Sequence, residues 1–189
     1  MNEYSSCVFF GHSNFDYAPY KDKIKERIVD LIENRGVKTF YNGFRGDFDV
    51  MCAHIVYELK EQYPQIKNIM ALSYIPDEKF DKPEIFDEAV YLLDNKVPLR
   101  FAISHTNRKL VETTHYIISG VTRTYGGAKS ACDYARRLYK TIFYVVYDYS
   151  YCDYDWTVRE WEEHKDDEQF VKELEEKIRG IIQQNSPAG

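Results

Sequence analysis

The sequence contains no Cys-x-x-Cys pair, no His-x-x-x-His pair and no apolar run near the roughly 18–20 residues that a membrane span needs. Each absence removes a class of protein. The four cysteines, Cys7, Cys52, Cys132 and Cys152, stand far apart, which excludes a compact zinc site and a disulfide framework and leaves reduced thiols in a cytoplasmic protein. Neither Gly-x-Gly-x-x-Gly nor Gly-x-x-x-x-Gly-Lys-[Ser/Thr] occurs, so a standard dinucleotide fold and a P-loop ATPase are excluded. No metal and no resident cofactor are expected. The N-terminus, Met1-Asn2-Glu3-Tyr4, lacks the basic region and apolar stretch of a secretory leader. Basic excess is missing too: Lys and Arg number 25 against 31 Asp and Glu, so direct nucleic-acid binding is not expected.

What is present describes a chain able to bury a core of its own, 189 residues with 44% hydrophobic and 30% charged side chains. Its charge is uneven. Residues 155–189 hold ten acids and five bases, whereas the rest is nearly balanced at 21 against 20. An anionic small molecule is therefore not repelled by the body of the protein. Seventeen tyrosines exceed what a core needs, so some line a groove or stand partly exposed.

Short apolar runs alternate with helical periodicity along the chain. Ser6 to Gly11 reads as a buried strand. Pro19 to Asn34 is a helix with Ile24, Ile28, Leu31 and Ile32 on one face, closed by Gly36. Val37 to Tyr41 is a second strand, and Asp47 to Gln62 a second helix with Asp47 as its cap and Val50, Ile55, Val56 and Leu59 as apolar positions. A third strand runs from Lys67 to Tyr74, and a short one fits at Ala89–Leu93. Then follow a helix from Pro98 to Thr113, a strand from His115 to Val121, a helix opened by Gly126-Gly127 and reaching about Tyr139, and a strand from Thr141 to Tyr147.

This alternation predicts a Rossmann-like three-layer α/β/α sandwich over residues 1–150, with a mostly parallel sheet and right-handed crossovers. Residues 151–189 form an acidic extension. In it Trp156, Val158 and Trp161 cluster, and Phe170, Leu174, Ile178, Ile181 and Ile182 make the stripe of an amphipathic helix. That helix either docks on its own domain or joins two copies in a homodimer.

In such a sheet, ligands bind beyond the carboxyl ends of the strands. That rule selects Gly11, His12, Ser13 and Asn14 after the first strand; Asn42, Gly43, Arg45, Gly46 and Asp47 after the second; Tyr74 after the third; and Arg123, Gly126, Gly127 and Lys129 around the glycine-pair helix. A helix that opens on glycines presents free N–H groups to an anion. Arg45, Arg123 and Lys129 would neutralise a phosphate, Arg by a fork and Lys by a point charge. Asn107 both donates and accepts hydrogen bonds, and Arg108 follows it. Asp47, Asp49 and Asp133 are the candidate acids, each equally explained by a place near a helix start or on a helix face. Arg136, Arg137 and Lys140 read as a solvated helix end, and His54, His105 and His115 as core or surface residues.

Four segments together carry a resemblance. Phe9-Phe10-Gly11-His12, Tyr41 through Asp49, Thr106-Asn107-Arg108 and Gly126-Gly127-Ala128 are similar, in order and over residues 6–147, to motifs of the SLOG superfamily. More narrowly they resemble its bacterial branch typified by YspA and YpsA. Ser13 stands where that branch has arginine after Gly-His. The resemblance implies a Rossmann-like fold that binds nucleotides or nucleotide-derived ligands. Its LOG enzymes release a base from a nucleoside monophosphate through a helix-start motif, of which this chain keeps the glycine pair but has Lys129-Ser130 in place of glycine-threonine.

Three functions follow: a nucleotide-binding sensor or carrier; an N-glycosidic hydrolase using Asp47, Asp49 or Asp133; and a scaffold or DNA-processing partner. The absence of a complete catalytic set favours the first.

Overall fold

The computed structural model describes residues 5–75, 80–93 and 97–146, with five isolated positions between 166 and 176. The expected C-terminal helix, the Trp156 cluster and Cys152 lie outside the described residues.

β1 (Ser5–Gly11) is the central strand because both its faces are apolar. Cys7 and Phe9 point to one layer of helices, Val8 and Phe10 to the other, as the two-residue period of a strand requires. A 3-10 turn, Ala18–Tyr20, leads into α1 (Lys21–Arg35), so Pro19 sits in the turn and not in the helix. Gly36 ends α1 in the left-handed region at φ 64°, its N–H bonding the Leu31 carbonyl. β2 (Val37–Asn42) and α2 (Asp47–Leu59) follow. The cap of α2 is Gly46, and Asp47 is the first helical residue with no capping hydrogen bond, which corrects the expectation for Asp47. Val50 is exposed; Phe48, Cys52, Ala53, Ile55, Val56 and Leu59 form the buried face.

β3 (Lys67–Leu72) stops two residues short of its expected end, and β4 (Glu88–Tyr91) begins one residue early. α3 (Leu99–Thr113), β5 (Tyr116–Gly120), α4 (Gly127–Arg137) and β6 (Thr141–Tyr144) complete the described elements. His115 precedes β5, accepting the Ser6 N–H on Nδ1 at 3.2 Å.

The sheet has the order β4-β3-β2-β1-β5-β6 with every pairing parallel. α1 and α2 pack on the Cys7/Phe9 face around Phe40, Phe143 and Ile118, and α3 and α4 on the opposite face around Val8, Leu110 and Ile142. Each fully buried aliphatic side chain, such as Ile24, Ile28 or Leu31 of α1, contributes about 2 kcal/mol of burial. Among the described residues no helix is long and apolar enough to cross a membrane, and no three His, Cys, Asp or Glu side chains gather as a metal site.

Candidate functional site

The chain walks outward from β1 to β4 and then returns through α3 to lay β5 on the other side of β1. The carboxyl ends of β1 and β5 therefore diverge, which is where a cleft opens in sheets of this kind. Gly11 and Gly120 are register partners at that point. A side chain on either would overlap the Phe48 ring, at 2.3 Å and 2.5 Å, so their bareness is required by Phe48 packing across both strand ends. Tyr17, buried and 4.8 Å from Phe48 by ring centroids, ties the same ends together. Its hydroxyl accepts the His12 N–H at 2.8 Å and donates to the Gly120 carbonyl at 2.7 Å. Burial pushes that phenol up to about 12.

His12 follows directly and is itself buried. Its Nε2 accepts the Arg123 N–H at 3.1 Å, joining the loop after β1 to the loop after β5. Burial, and then the charge of Arg123, lower its pKa, so the ring is neutral with its proton on Nδ1. Arg123 makes a second tie, its guanidinium donating to the Asn14 carbonyl at 2.7 Å.

The loop after β2 is organised by its own side chains. Asn42, fully buried, accepts the Phe44 N–H on Oδ1 and donates from Nδ2 to the Asp49 carbonyl, both at 2.6 Å. Phe44 holds a positive φ of 52° and meets Phe86 edge-on at 5.2 Å. Asp49 turns back from the first turn of α2 to accept the Arg45 N–H on Oδ2 at 3.1 Å. Its carboxyl is raised to about 7, chiefly by burial, with the Arg45 N–H and guanidinium pulling partly back. Gly46 presses against Ser13, whose Cα would lie 2.6 Å from a side chain there, so the first two loops are in van der Waals contact.

α4 opens on Gly126 at φ 102°, a conformation that favours glycine, and no side chain caps its N-terminus. These loops enclose a cavity of about 350 Å³. Its floor is Phe9, Phe10, Ala71 and Leu110; its walls include His12, Arg45, Asp49, Asn107, Arg123 and the first turn of α4. Two guanidiniums face one half-titrated carboxyl and a neutral histidine, an environment suited to an anion beside an apolar or aromatic group.

Of the residues selected from sequence, Gly11, His12, Ser13, Gly43, Arg45, Asp49, Asn107, Arg123, Gly126 and Gly127 line this cavity. The others lie elsewhere. Asn14 and Asn42 are engaged with Arg123 and with the loop backbone. Gly46 serves the contact with Ser13, and Asp47 is exposed. Tyr74 stands outside, its ring 5.2 Å beneath the Arg45 guanidinium. Arg108 lies over Tyr134 at 4.6 Å. Lys129 is ion-paired with Asp133, which Arg136 also reaches at 3.3 Å. Ser73, Ile103, Thr106 and Tyr125 line the cavity without having been selected. Ser73 was legible in principle: β3 ends at Leu72, so the first residue past the strand is the serine. Ile103 and Thr106 belong to a helix whose periodicity spoke only of packing.

No family model matches the chain, and no curated protein matches it. Solved structures do. DNA processing protein A (DprA) from Streptococcus pneumoniae superposes with a TM-score of 0.54 at 13% identity, over 75% of this chain and 50% of that one. DprA from Helicobacter pylori, described by its single-stranded DNA binding mode, gives 0.53 at 15% identity, over 74% and 64%. The Moco carrier protein from Chlamydomonas reinhardtii gives 0.46 at 11% identity, over 76% of each. The chain thus spans half to just under two thirds of the DprA chains it matches. This corrects one expectation. Direct nucleic-acid binding was set aside on net charge, yet the similarly folded H. pylori DprA is described by a single-stranded DNA binding mode, and a net charge summed over a chain says nothing of one local surface. The parallel sheet, its strand order and the two DprA superpositions together identify the architecture: the chain has a Rossmann-like α/β fold shared with the DprA structures.

Proposed function

We propose that the cavity binds a nucleotide or nucleotide-derived ligand, with a phosphate against the first turn of α4 and a base or sugar on the floor of Phe9, Phe10 and Leu110. One observation carries this reading: an uncapped helix start, held open by Gly126 at φ 102°, faces a cavity flanked by Arg45 and Arg123 at the switch point of the sheet. The volume, about 350 Å³, falls in the range of small-molecule sites. Three buried free cysteines agree with a reducing compartment such as the cytoplasm.

The test is a thermal-shift screen against nucleoside mono-, di- and triphosphates and ADP-ribose, with products followed by chromatography. A ligand at about 100 times its dissociation constant adds roughly 2.7 kcal/mol of stability. Gly126→Ala, which forces a side chain into the positive-φ position, is expected to weaken binding at least tenfold. Absence of a shift with every nucleotide would overturn the reading.

A second reading has one observation in its favour. Asp49 holds a carboxyl raised to about 7 on the cavity wall, as a general acid for N-glycosidic hydrolysis requires. Release of free base from a nucleoside monophosphate, lost in Asp49→Asn while binding persists, would establish it; intact ligand throughout would exclude it.

A further inference from the structure

A second hollow, about 600 Å³, lies along the other side of α4, between it and α3. It shares Asn107 and Gly127 with the first cavity, so the two compartments meet at the start of α4. Its centre is Tyr134, whose ring is fixed by a 2.7 Å hydrogen bond from its hydroxyl to Glu112. Arg108 from α3 lies 4.6 Å from that ring's centroid and Arg137 from α4 lies 5.7 Å from it. Neither guanidinium pairs with a carboxylate among the described residues. Two like charges held at one ring repel each other, and both keep their planar donor forks for a guest.

Tyr134 is seven residues beyond Gly127, about 10 Å along a helix axis. A mononucleotide with its phosphate at the first turn of α4 and its base on the floor of the first cavity does not extend toward Tyr134. The second half of a molecule built from two units joined through phosphates does. A polymer fits less well, because the first cavity ends on the apolar floor of Phe9, Phe10 and Leu110 and offers no basic track onward.

We propose that the Arg108–Tyr134–Arg137 hollow is a second ligand compartment, and that the ligand is a dinucleotide-type molecule straddling the start of α4. This rests on the proposed nucleotide reading of the first cavity and names its ligand class. Titration calorimetry tests it with AMP, ADP-ribose and a ten-residue oligothymidylate, against the native protein and the double variant Arg108→Ala/Arg137→Ala. Both arginines are exposed, and unchanged thermal melting of the variant verifies its fold. An Arg108→Lys/Arg137→Lys variant serves if the alanines impair folding.

Expected is at least tenfold tighter binding of ADP-ribose than of AMP, with the double variant losing that margin while AMP affinity stays within twofold. Equal affinity for the two ligands, or equal loss of both in the variant, would overturn the second compartment and leave the first standing. Failure of both to bind would overturn the two together. An oligothymidylate that binds more tightly than ADP-ribose and depends on both arginines would assign the hollow to single-stranded nucleic acid instead.

Discussion

His12 and Asp49 face the same cavity with opposite habits. The imidazole is held below its ordinary pKa by burial and then by the charge of Arg123, while the carboxyl is kept partly protonated by burial. For Asp49 the sign of the linkage is definite. Its folded pKa of about 7 lies above the roughly 3.9 of an unfolded chain. Between about pH 4 and 7 the folded state therefore holds a proton that the unfolded state has released, and stability falls as pH rises through that window. Asp87 acts in the opposite sense: burial alone would raise it, but Lys60 and the Asn68 N–H hold it below its ordinary value. The expected outcome is read as a difference. In chemical denaturation from pH 4 to 8, Asp49→Asn loses a downward slope that the native protein shows, and above about pH 7.5 the two curves run parallel. Identical slopes would mean that Asp49 is ionised throughout.

At the scale of elements, the ends of helices matter more than their middles. α2 begins on Gly46 and α4 on Gly126, both without a side-chain cap, and both beside the cavity. The end of α3, by contrast, is closed from outside: Lys140 donates to the carbonyls of Glu112 at 3.3 Å and Thr114 at 2.7 Å. That lysine was read in the sequence as part of a solvated helix end. A cation at a helix C-terminus stabilises it, and Lys140→Ala is expected to cost about 1 kcal/mol in denaturant unfolding. An effect of Lys140→Ala below about 0.3 kcal/mol, the low edge of such contributions, would refute the assignment.

The elements themselves were legible because strands with two buried faces read as unbroken apolar runs, and helices carry a 3.6-residue period. Their ends were less so. Asp47 looked like a cap because its residue type favours that position, but Gly46 must approach Ser13 closely, and that tertiary contact moves the helix start by one residue. Tyr74 looked like a strand-end residue because β3 ends earlier than its apolar run suggests.

For the whole molecule, strand order is what the sequence does not spell out and what builds the site. Loops 11–14, 42–47 and 122–127 are each ordinary turns; only the return of the chain to β1 through β5 brings them around one cavity. Side chains that enter the cavity from α3, such as Ile103 and Thr106, carry no local sign of it, because their helical spacing is that of any packed helix. Net charge was the least informative whole-molecule quantity. The acids of residues 155–189 dominate its sign, while Arg45, Arg108, Arg123 and Arg137 gather around α4.

The Phe48 ring lying over Gly11 and Gly120 has a consequence for descent. Three positions far apart in the chain, on two strands and a helix, share one volume. None can drift alone: a methyl on either glycine meets the ring, and a smaller residue at 48 leaves a void over both strand ends. Such a triad passes between generations as a single character, altered only by paired substitutions. A chain that kept the ring and lost either glycine would have had to rebuild the mouth of the cleft.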